Sequence, residues 1–279
     1  MIKSYCKINL SLRVLKKMKS GLHDIQTNTM LLNLHDLIEI KKIDSKKDEV
    51  IFKEKFKKHI SENNNSIINT IKILRKNNLI KEKQKFKIFI KKKIPVFSGL
   101  GGGTSNSAFI IKYFIKKKIN DKVLNLFENT IGSDLRLFFN KQVFQKNLRN
   151  IKKYKKNFQL YFTLVYPNMK CSTKEIYSKV KKFNKPSNID YSKIQSKAVL
   201  IKLIKKENNY LQKISISKYK GLKFIISFIE AQKDCYYSRM TGSGSVCYGM
   251  FKSHNSAKIA LKKIKKRFPK YWCVTAKTI

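Results

Sequence analysis

Four glycines stand close together in a chain that has only 10 glycines in 279 residues. Gly99, Gly101, Gly102 and Gly103 lie in the sequence PVFSGLGGGTS, which runs from residue 95 to residue 105. Glycine permits positive φ and lets another group approach the bare main chain closely. Such a loop in front of a helix directs several backbone N–H groups and the positive end of the helix dipole at one point. The pattern predicts an anion-binding loop, with a merely flexible linker as the alternative.

Two familiar phosphate-binding patterns do not fit this loop. The P-loop pattern requires a lysine after its last glycine, whereas Thr104 follows Gly103 here. The dinucleotide pattern GxGxxG begins correctly at Gly99 and Gly101, but Thr104 occupies its sixth position. The loop therefore belongs to another phosphate-binding design.

Three further segments carry groups that could take part in phosphate chemistry. Lys7 and Asn9 lie two residues apart on a predicted strand, so their side chains share one face. Asp134 follows a Gly-Ser turn, and a carboxylate beside a phosphate could accept the proton of an attacking hydroxyl. A simple turn or helix cap is the alternative for Asp134. The segment MTGSGS at residues 240–245 is a second turn of small residues, for which an ordinary hairpin turn is equally open.

The elements that must position these groups are predicted from hydrophobic periodicity and capping signals. A strand at residues 86–90 leads into the loop, and a helix over residues 105–118 follows it, with Thr104 or Ser105 as its N-cap. The other predicted elements are strands at 4–15, 34–43 and 160–166, helices at 67–74, 121–130 and from 173, helical segments between 194 and 229, and a final strand, turn, strand, helix, strand from residue 237. This order predicts an α+β protein whose last ββαβ resembles a split sheet-and-helix sandwich. The charged stretch at residues 145–157 suggests a domain boundary, dividing the chain into residues 1–150 and 151–279.

The formal net charge of +46 invites a nucleic-acid partner, because basic surfaces attract phosphate backbones. However, only six of the 63 basic residues are arginines, the side chain best suited to read phosphates and bases, and the lysines are spread along the whole chain. Specific nucleic-acid binding is therefore not expected. The abundance of Ile, Asn, Phe and Tyr, with only six Ala and four Pro, suggests instead the AT-rich coding of a reduced bacterial genome.

Cysteine usage and hydropathy bear on the compartment. The five cysteines form no CxxC pair and the four histidines have no metal-site spacing, so we expect reduced thiols and no protein metal site. No apolar run is long enough to span a bilayer and no signal-peptide pattern is present. We therefore expect a cytoplasmic protein without a membrane partner.

Taken together, the ordered motifs resemble those of the GHMP kinases. They are KINLSL at residues 7–12, PVFSGLGGGTSNSA at 95–108 and MTGSGS at 240–245. The additional patterns GLHD at 21–24 and IGSD at 131–134 resemble motifs of one branch of these kinases. That branch phosphorylates the 2-hydroxyl of 4-(cytidine 5′-diphospho)-2-C-methyl-D-erythritol in non-mevalonate isoprenoid biosynthesis. The resemblance covers nearly the whole chain. Another GHMP small-molecule kinase and, from a different class, a basic RNA-associated protein on an S5-like fold are the alternatives.

The resemblance implies a two-domain fold, a set of ligands and roles for individual residues. The N-terminal domain would resemble the second domain of ribosomal protein S5, and the C-terminal domain would be a split βαβ of the ferredoxin-like type, with the active site in the cleft between them. ATP would be the co-substrate, accompanied by Mg²⁺, and cytidine diphosphate methylerythritol the small-molecule substrate. Lys7 would polarise the reacting groups, Asp134 would be the general base, and a hydroxyl such as that of Ser105 could contact Mg²⁺. The implied ATP-binding residues are Asn65, Pro95, Val96, Phe97, Ser98, Gly99, Leu100, Gly101, Gly102, Gly103, Thr104 and Ser105. The implied substrate-binding residues are Asn9, His23, Thr173, Gly242, Ser243 and Gly244, with His23 at the cytosine edge.

Several residues depart from the pattern of that branch. Leu22 stands where an aromatic side chain commonly stacks on the cytidine, and Phe97 and Ser98 replace glycines in the first half of the loop. Arg136 replaces a common proline after Asp134. The second half of the loop, residues 101–105, is intact.

Overall fold

The computed structural model describes residues 1–58, 60–61, 64–116 and 119–279. The strands in these residues are β1 (Ile2–Lys17), β2 (His23–Ile43), β3 (Glu49–Lys53), β4 (Lys85–Lys91), β5 (Gln142–Gln145), β6 (Ile151–Lys153), β7 (Tyr161–Tyr166), β8 (Cys235–Met240), β9 (Cys247–Phe251) and β10 (Trp272–Lys277). The helices are α1 (Ser66–Lys76), α2 (Gly102–Phe114), α3 (Asp121–Ile131), α4 (Thr173–Ser178), α5 (Lys197–Lys206), α6 (Tyr210–Lys218), α7 (Gly221–Glu230) and α8 (His254–Arg267). Short 3-10 helices occur at Lys55–Lys57, Leu135–Phe139 and Tyr191–Lys193.

The chain forms two compact units that are each discontinuous in sequence. The first unit consists of Met1–Cys6, Leu34–Val96 and Gly101–Phe139. The second unit consists of Lys7–Asn33, Phe97–Leu100 and Asn140–Ile279. β1 and β2 pair with each other and contribute residues to both units.

In the first unit, β4 pairs with β3 on one side and with residues 37–43 of β2 on the other. The β3–β4 pairing is parallel and the β2–β4 pairing is antiparallel. The alternation predicted for β4 is present, since Phe86, Ile88 and Ile90 are buried while the intervening residues are not. The ring of Phe86 packs edge-on against that of Phe114, at the end of α2, with ring centroids 4.9 Å apart. This packing anchors the helix that follows the glycine loop.

In the second unit, four strands form an antiparallel sheet in the order β10–β7–β9–β8. The apolar faces of α7 and α8 share one buried core with this sheet. Ile225 and Ile229 of α7 and Ala260 and Ile264 of α8 are at most 2 % exposed. The predicted final strand, turn, strand, helix, strand is therefore confirmed, and so is the α+β fold class.

The structure corrects three expectations. α2 begins at Gly102 rather than at residue 105, and its N-cap is Gly101, in the left-handed conformation at φ 69°, rather than Thr104 or Ser105. α2 ends at Phe114, whereas the predicted helix continued to residue 118; residues 117 and 118 lie outside the described residues. Residues 24–33 lie between two predicted strands but belong to the long strand β2.

β1 is buried on both of its faces around the first motif. Cys6 and Ile8 on one face are fully buried, and Lys7 and Asn9 on the opposite face are only 3 % and 2 % exposed. Among the described lysines, only Lys7 and Lys92 are buried. The other described lysines, which dominate the net charge, are therefore exposed or half-buried.

None of the five cysteines is part of a disulfide. No helix in the described part of the chain combines the length and the apolarity that crossing a bilayer demands.

Candidate active site

Lys7 and Asn9 form a buried pair in the second unit. The Lys7 ammonium donates a hydrogen bond to Asn9 Oδ1, and Asn9 Nδ2 donates to Thr27 Oγ1 at 2.9 Å. The Lys7 backbone N–H donates to the carbonyl of Leu100 at 3.0 Å, in the first half of the glycine loop. The Asn9 backbone N–H donates to Thr241 Oγ1 at 3.0 Å. The first motif is therefore bonded directly to the other two motifs within one unit.

The turn at residues 240–245 packs against the first half of the glycine loop. The backbone N–H of Val246 donates to the Ser98 carbonyl at 3.0 Å. A Cβ placed on Gly99 would lie 2.2 Å from the Thr241 carbonyl oxygen, and one on Gly242 would lie 3.1 Å from the Gly99 carbonyl oxygen. Two main-chain segments can approach this closely only where side chains are missing. Gly99 and Gly242 are therefore required by the contact between the two loops.

Asn209 holds the same turn from the other side, and sequence reasoning did not single it out. Its Nδ2 donates to the carbonyls of Met240 and Gly242, both at 2.8 Å. Its Oδ1 accepts from Leu211 N at 3.0 Å and caps α6. The residue's only signal in the sequence was that of an ordinary helix N-cap, which many asparagines provide.

Thr173 and Ser243, two predicted substrate-side residues, are neighbours in the second unit. Their hydroxyl oxygens are 2.9 Å apart. Ser215 Oγ also donates to the Ser243 carbonyl at 3.1 Å. The start of α4 is thereby connected to the turn at residues 240–245.

His23 lies at the start of β2 among aromatic side chains. Its ring centroid is 5.1 Å from that of Tyr177 and 6.4 Å from that of Phe183. Burial, together with the charge of Lys17, lowers the pKa of His23 below its ordinary value, which favours the neutral imidazole. A neutral imidazole has one donor and one acceptor nitrogen, which suits recognition of a base edge.

In the first unit, the N-termini of two helices meet at the second half of the glycine loop. Ser66, the first residue of α1, has its Oγ 3.4 Å from the carbonyl oxygen of Gly103 in the first turn of α2. Asn65 caps α1 by accepting from the N–H groups of Ile67 at 2.9 Å and Ile68 at 3.1 Å. Two helix N-termini side by side add their positive dipole ends, which favours an anion at this place.

A buried ion pair lies beneath the start of α2. The Lys92 ammonium donates to Asp36, and the two side chains are 2 % and 0 % exposed. Asp36 Oδ1 also accepts from the backbone N–H groups of Lys93 at 2.7 Å and Ile94 at 2.9 Å, which fixes the chain just before Pro95. A Cβ on Gly102 would lie 3.3 Å from Lys92 Nζ. This pair supports the loop, and among 57 lysines nothing in the sequence distinguished Lys92.

Ser105 is buried, and its hydroxyl group forms hydrogen bonds within the protein. Its Oγ donates to the Tyr5 carbonyl at 2.5 Å and lies 2.8 Å from Ser4 Oγ. These bonds fasten α2 to the beginning of β1. They leave the suggested Mg²⁺ contact of this hydroxyl without structural support.

Asp134 lies in a turn that borders the glycine loop within the first unit. The turn follows α3 at Gly132, where a Cβ would lie 3.5 Å from Thr104 Oγ1. The backbone carbonyl of Asp134 accepts from Leu137 N at 3.1 Å and so begins the 3-10 helix. The structure therefore brings the predicted base into the neighbourhood of the second half of the loop.

The predicted site residues divide between the two units. The first unit holds Asn65, Pro95, Val96, Gly101, Gly102, Gly103, Thr104, Ser105 and Asp134. The second unit holds Lys7, Asn9, His23, Phe97, Ser98, Gly99, Leu100, Thr173, Gly242, Ser243 and Gly244. The predicted catalytic pair, Lys7 and Asp134, thus has one member in each unit.

Two family models match the chain. Residues 65–132 match the GHMP kinases N terminal domain, and residues 196–270 match the GHMP kinases C terminal. The two matches lie on either side of residue 150, while the division of the chain at that residue itself stays a prediction.

Curated relatives match over the full length of the chain. A 4-diphosphocytidyl-2-C-methyl-D-erythritol kinase of Pelagibacter ubique is 37 % identical over 284 residues, covering 100 % of this chain and 98 % of the relative. A kinase with the same description from Wolbachia sp. subsp. Drosophila simulans is 33 % identical and covers 97 % of each chain.

Solved structures of the superfamily show the same fold. A crystal structure of 4-(cytidine 5′-diphospho)-2C-methyl-D-erythritol kinase matches with a TM-score of 0.72 at 18 % identity, over 98 % of each chain. Homoserine kinase from Cytophaga hutchinsonii matches with a TM-score of 0.67 at 15 % identity, over 100 % of this chain and 96 % of the other. These comparisons confirm the two-domain GHMP kinase fold and the resemblance carried by the sequence motifs. The chain belongs to the 4-diphosphocytidyl-2-C-methyl-D-erythritol kinase family of the GHMP kinases.

Proposed function

We propose that this chain transfers the γ-phosphoryl group of ATP to the 2-hydroxyl of 4-(cytidine 5′-diphospho)-2-C-methyl-D-erythritol. The observation that carries the proposal is the meeting of two helix N-termini, at Ser66 and Gly102, beside the turn of Asp134. An anion site next to a carboxylate is the arrangement that phosphoryl transfer to a hydroxyl requires. Family membership supports the choice of substrate.

In the proposed reaction, Asp134 accepts the proton of the 2-hydroxyl as its oxygen attacks the γ-phosphorus. The bond from that phosphorus to the β–γ bridging oxygen breaks, and ADP leaves. Phosphoryl transfer depends mainly on positioning and on stabilising the charge of the transferred group. The helix N-termini at the loop and the Lys7 ammonium supply positive charge for this purpose. Asn9 orients Lys7 by accepting its hydrogen bond.

On the ATP side, we propose that the phosphates occupy the loop at residues 95–105 and that Asn65 lies at the adenine pocket. We assign the ATP-binding domain to residues 1–150 and the second domain to residues 151–279. Mg²⁺ is expected with ATP. No group of three or more His, Cys, Asp or Glu side chains in the described residues could hold a metal ion. The ATP phosphates and water would therefore supply most of its ligands, as is usual for Mg²⁺.

On the acceptor side, we propose that His23 reads the cytosine edge. Phe183, 47 % exposed, and Tyr177 offer aromatic faces beside His23. Such faces can stack a pyrimidine ring and supply the surface that Leu22 lacks. Asn9, Thr173 and the turn at residues 242–244 would contact the diphosphate and polyol part of the substrate.

The proposed base is tested by Asp134→Asn. The amide keeps the size and polarity of the carboxylate but cannot accept the proton, so we expect turnover to fall by about 10²–10⁴-fold. Turnover is measured as ADP formation with the cytidine substrate, and ATP affinity, measured by calorimetry, should change little. Asp44→Asn, at an exposed position, is the matched control. Near-normal turnover in Asp134→Asn would show that another group is the base.

The substrate is tested with the unmodified protein. ADP formation is compared for the cytidine substrate, homoserine and mevalonate at equal concentrations, because kinases of homoserine and mevalonate share the fold. We expect the cytidine substrate to be preferred by a large factor in kcat/KM. Preference for either of the other acceptors would assign the chain to another GHMP activity.

A further inference from the structure

The turn that carries Asp134 is followed by three buried apolar side chains. Leu135, Leu137 and Phe138 are buried, with at most 1 % exposure. The N–H of Leu135 donates to the Gly132 carbonyl at 3.1 Å, which closes the turn around Asp134. Arg136 lies between the two buried leucines. Its side chain is 20 % exposed and forms ion pairs instead of packing in the core.

The Arg136 guanidinium bonds to three side chains of α3. Nε donates to Glu128 Oε2 at 2.9 Å, Nη1 donates to Asp121 Oδ1 at 2.7 Å, and Nη2 donates to Asn125 Oδ1 at 2.8 Å. Asp121, Asn125 and Glu128 are spaced by four and three residues, so they form one stripe along the helix. One planar guanidinium therefore bonds to residues that extend over about two turns of α3.

α3 already leads into the same turn through the main chain. The Gly132 N–H donates to the Glu128 carbonyl at 3.0 Å at the end of the helix, so Glu128 bonds to the turn through its backbone and to Arg136 through its side chain. The segment from residue 132 to residue 136 is thereby tied to α3 at both ends. Asp134 is at the middle of that segment.

The Arg136–Glu128 ion pair is partly buried, so the charge of each group is stabilised mainly by its partner and less by water. Burial raises the pKa of Glu128, and the hydrogen bond and charge of Arg136 oppose part of that rise. An ion pair removed from water holds a more fixed geometry than one on the open surface, because fewer water contacts compete with it.

We propose that Arg136 is a positioning residue that fastens the Asp134 turn to α3. It thereby keeps the Asp134 carboxylate at a fixed position relative to the N-terminal turn of α2. This inference rests on the proposed role of Asp134 as the base. The guanidinium acts through the turn and does not contact the reacting atoms. Misplacement of a base by about 1 Å can reduce turnover by about 10²-fold. Loss of the Arg136 bonds should therefore lower kcat by a measurable factor.

The kinetic test compares Arg136→Ala and Arg136→Lys with Arg149→Ala, which removes the same charge from an exposed position. For Arg136→Ala we expect kcat to fall by about 10–100-fold while the KM for ATP stays within a few-fold of the unmodified protein. The kcat of Arg136→Lys should lie between those of Arg136→Ala and the unmodified protein, because one ammonium cannot replace a planar guanidinium that bonds to three partners. Arg149→Ala should behave like the unmodified protein. An unchanged kcat in Arg136→Ala, or an equal loss in Arg149→Ala, would overturn the proposal.

A second measurement is independent of the substrate. Amide hydrogen exchange of the peptide covering residues 132–138 should be faster by at least about tenfold in Arg136→Ala than in Arg149→Ala, with exchange in β4 unchanged. A purely stabilising residue would instead speed exchange throughout the unit and leave kcat per folded molecule unaltered. If the unmodified protein did not phosphorylate the cytidine substrate, the proposed function would fail, while the exchange comparison would still decide whether Arg136 fastens the turn. Unchanged exchange at residues 132–138 would refute the fastening.

Discussion

Replacement of Gly99 by alanine tests the closest main-chain approach in the candidate site. Gly99 has φ +78°, and a Cβ there would lie 2.2 Å from the Thr241 carbonyl oxygen and 3.2 Å from that of Gly244. The first distance is far below any normal carbon–oxygen contact, and both partners are backbone atoms that cannot rotate away. The loop and the turn at residues 240–245 must therefore separate to admit the methyl group.

The expected loss of stability has two parts. A left-handed backbone costs a non-glycine residue about 1–2 kcal/mol. Forcing an extra carbon into a packed contact costs about 1–3 kcal/mol more. Gly99→Ala should therefore lower the free energy of unfolding by about 2–5 kcal/mol. If the loop holds the ATP phosphates, the KM for ATP should rise as well.

Gly21 provides the control that separates the two parts. It has φ +81°, almost the same as Gly99, but nothing lies within 4 Å of the position of its Cβ. Gly21→Ala should therefore show only the conformational cost, about 1–2 kcal/mol. The measurement is guanidinium-induced unfolding of both variants, followed by circular dichroism. Equal losses in the two variants would refute the claim that the approach of Gly99 to Thr241 constrains the site.

Two other predictions concern individual side chains. His23→Ala should raise the KM for the cytidine substrate more than the KM for ATP in steady-state assays, because the proposed role of His23 is on the acceptor side; the reverse order would exclude it from cytosine recognition. Burial lowers the pKa of Lys112 from its usual 10.5 to about 8. Between these values the unfolded chain binds more protons than the folded chain, so the free energy of unfolding should rise with pH relative to that of Lys112→Met. Parallel pH profiles of the two proteins from pH 8 to 10.5 would contradict that pKa.

Elements with strong local signals could be predicted from the sequence. The alternation around Phe86, Ile88 and Ile90 identified β4 to within a residue at each end, and the helix predicted at residues 67–74 lies within α1. The three ordered motifs resemble those of the GHMP kinases, and such a resemblance can be seen in the sequence without the structure.

Features that depend on contacts between distant segments could not be predicted. The start of α2 was placed three residues late, because Gly102 and Gly103 are poor helix formers and their helical state depends on the cap at Gly101 and the packing beneath it. The Lys92–Asp36 pair joins residues that are 56 positions apart. Nothing in the sequence distinguishes Lys92 from the other lysines, of which the chain has 57 in all. Asn209 bonds to carbonyls more than 30 positions away, and no sequence pattern records such a bond.

The burial of Lys7 and Lys92 also separates them chemically from the other lysines. Amine reagents need an accessible nitrogen, and these two side chains are shielded while most described lysines face solvent. Reductive methylation, which retains the positive charge, could therefore label the surface extensively while leaving both buried amines unmodified. Mass spectrometry of peptides containing the two residues would read out their protection directly. Among the described lysines, low reactivity toward amine reagents therefore marks Lys7 and Lys92, whose side chains are buried.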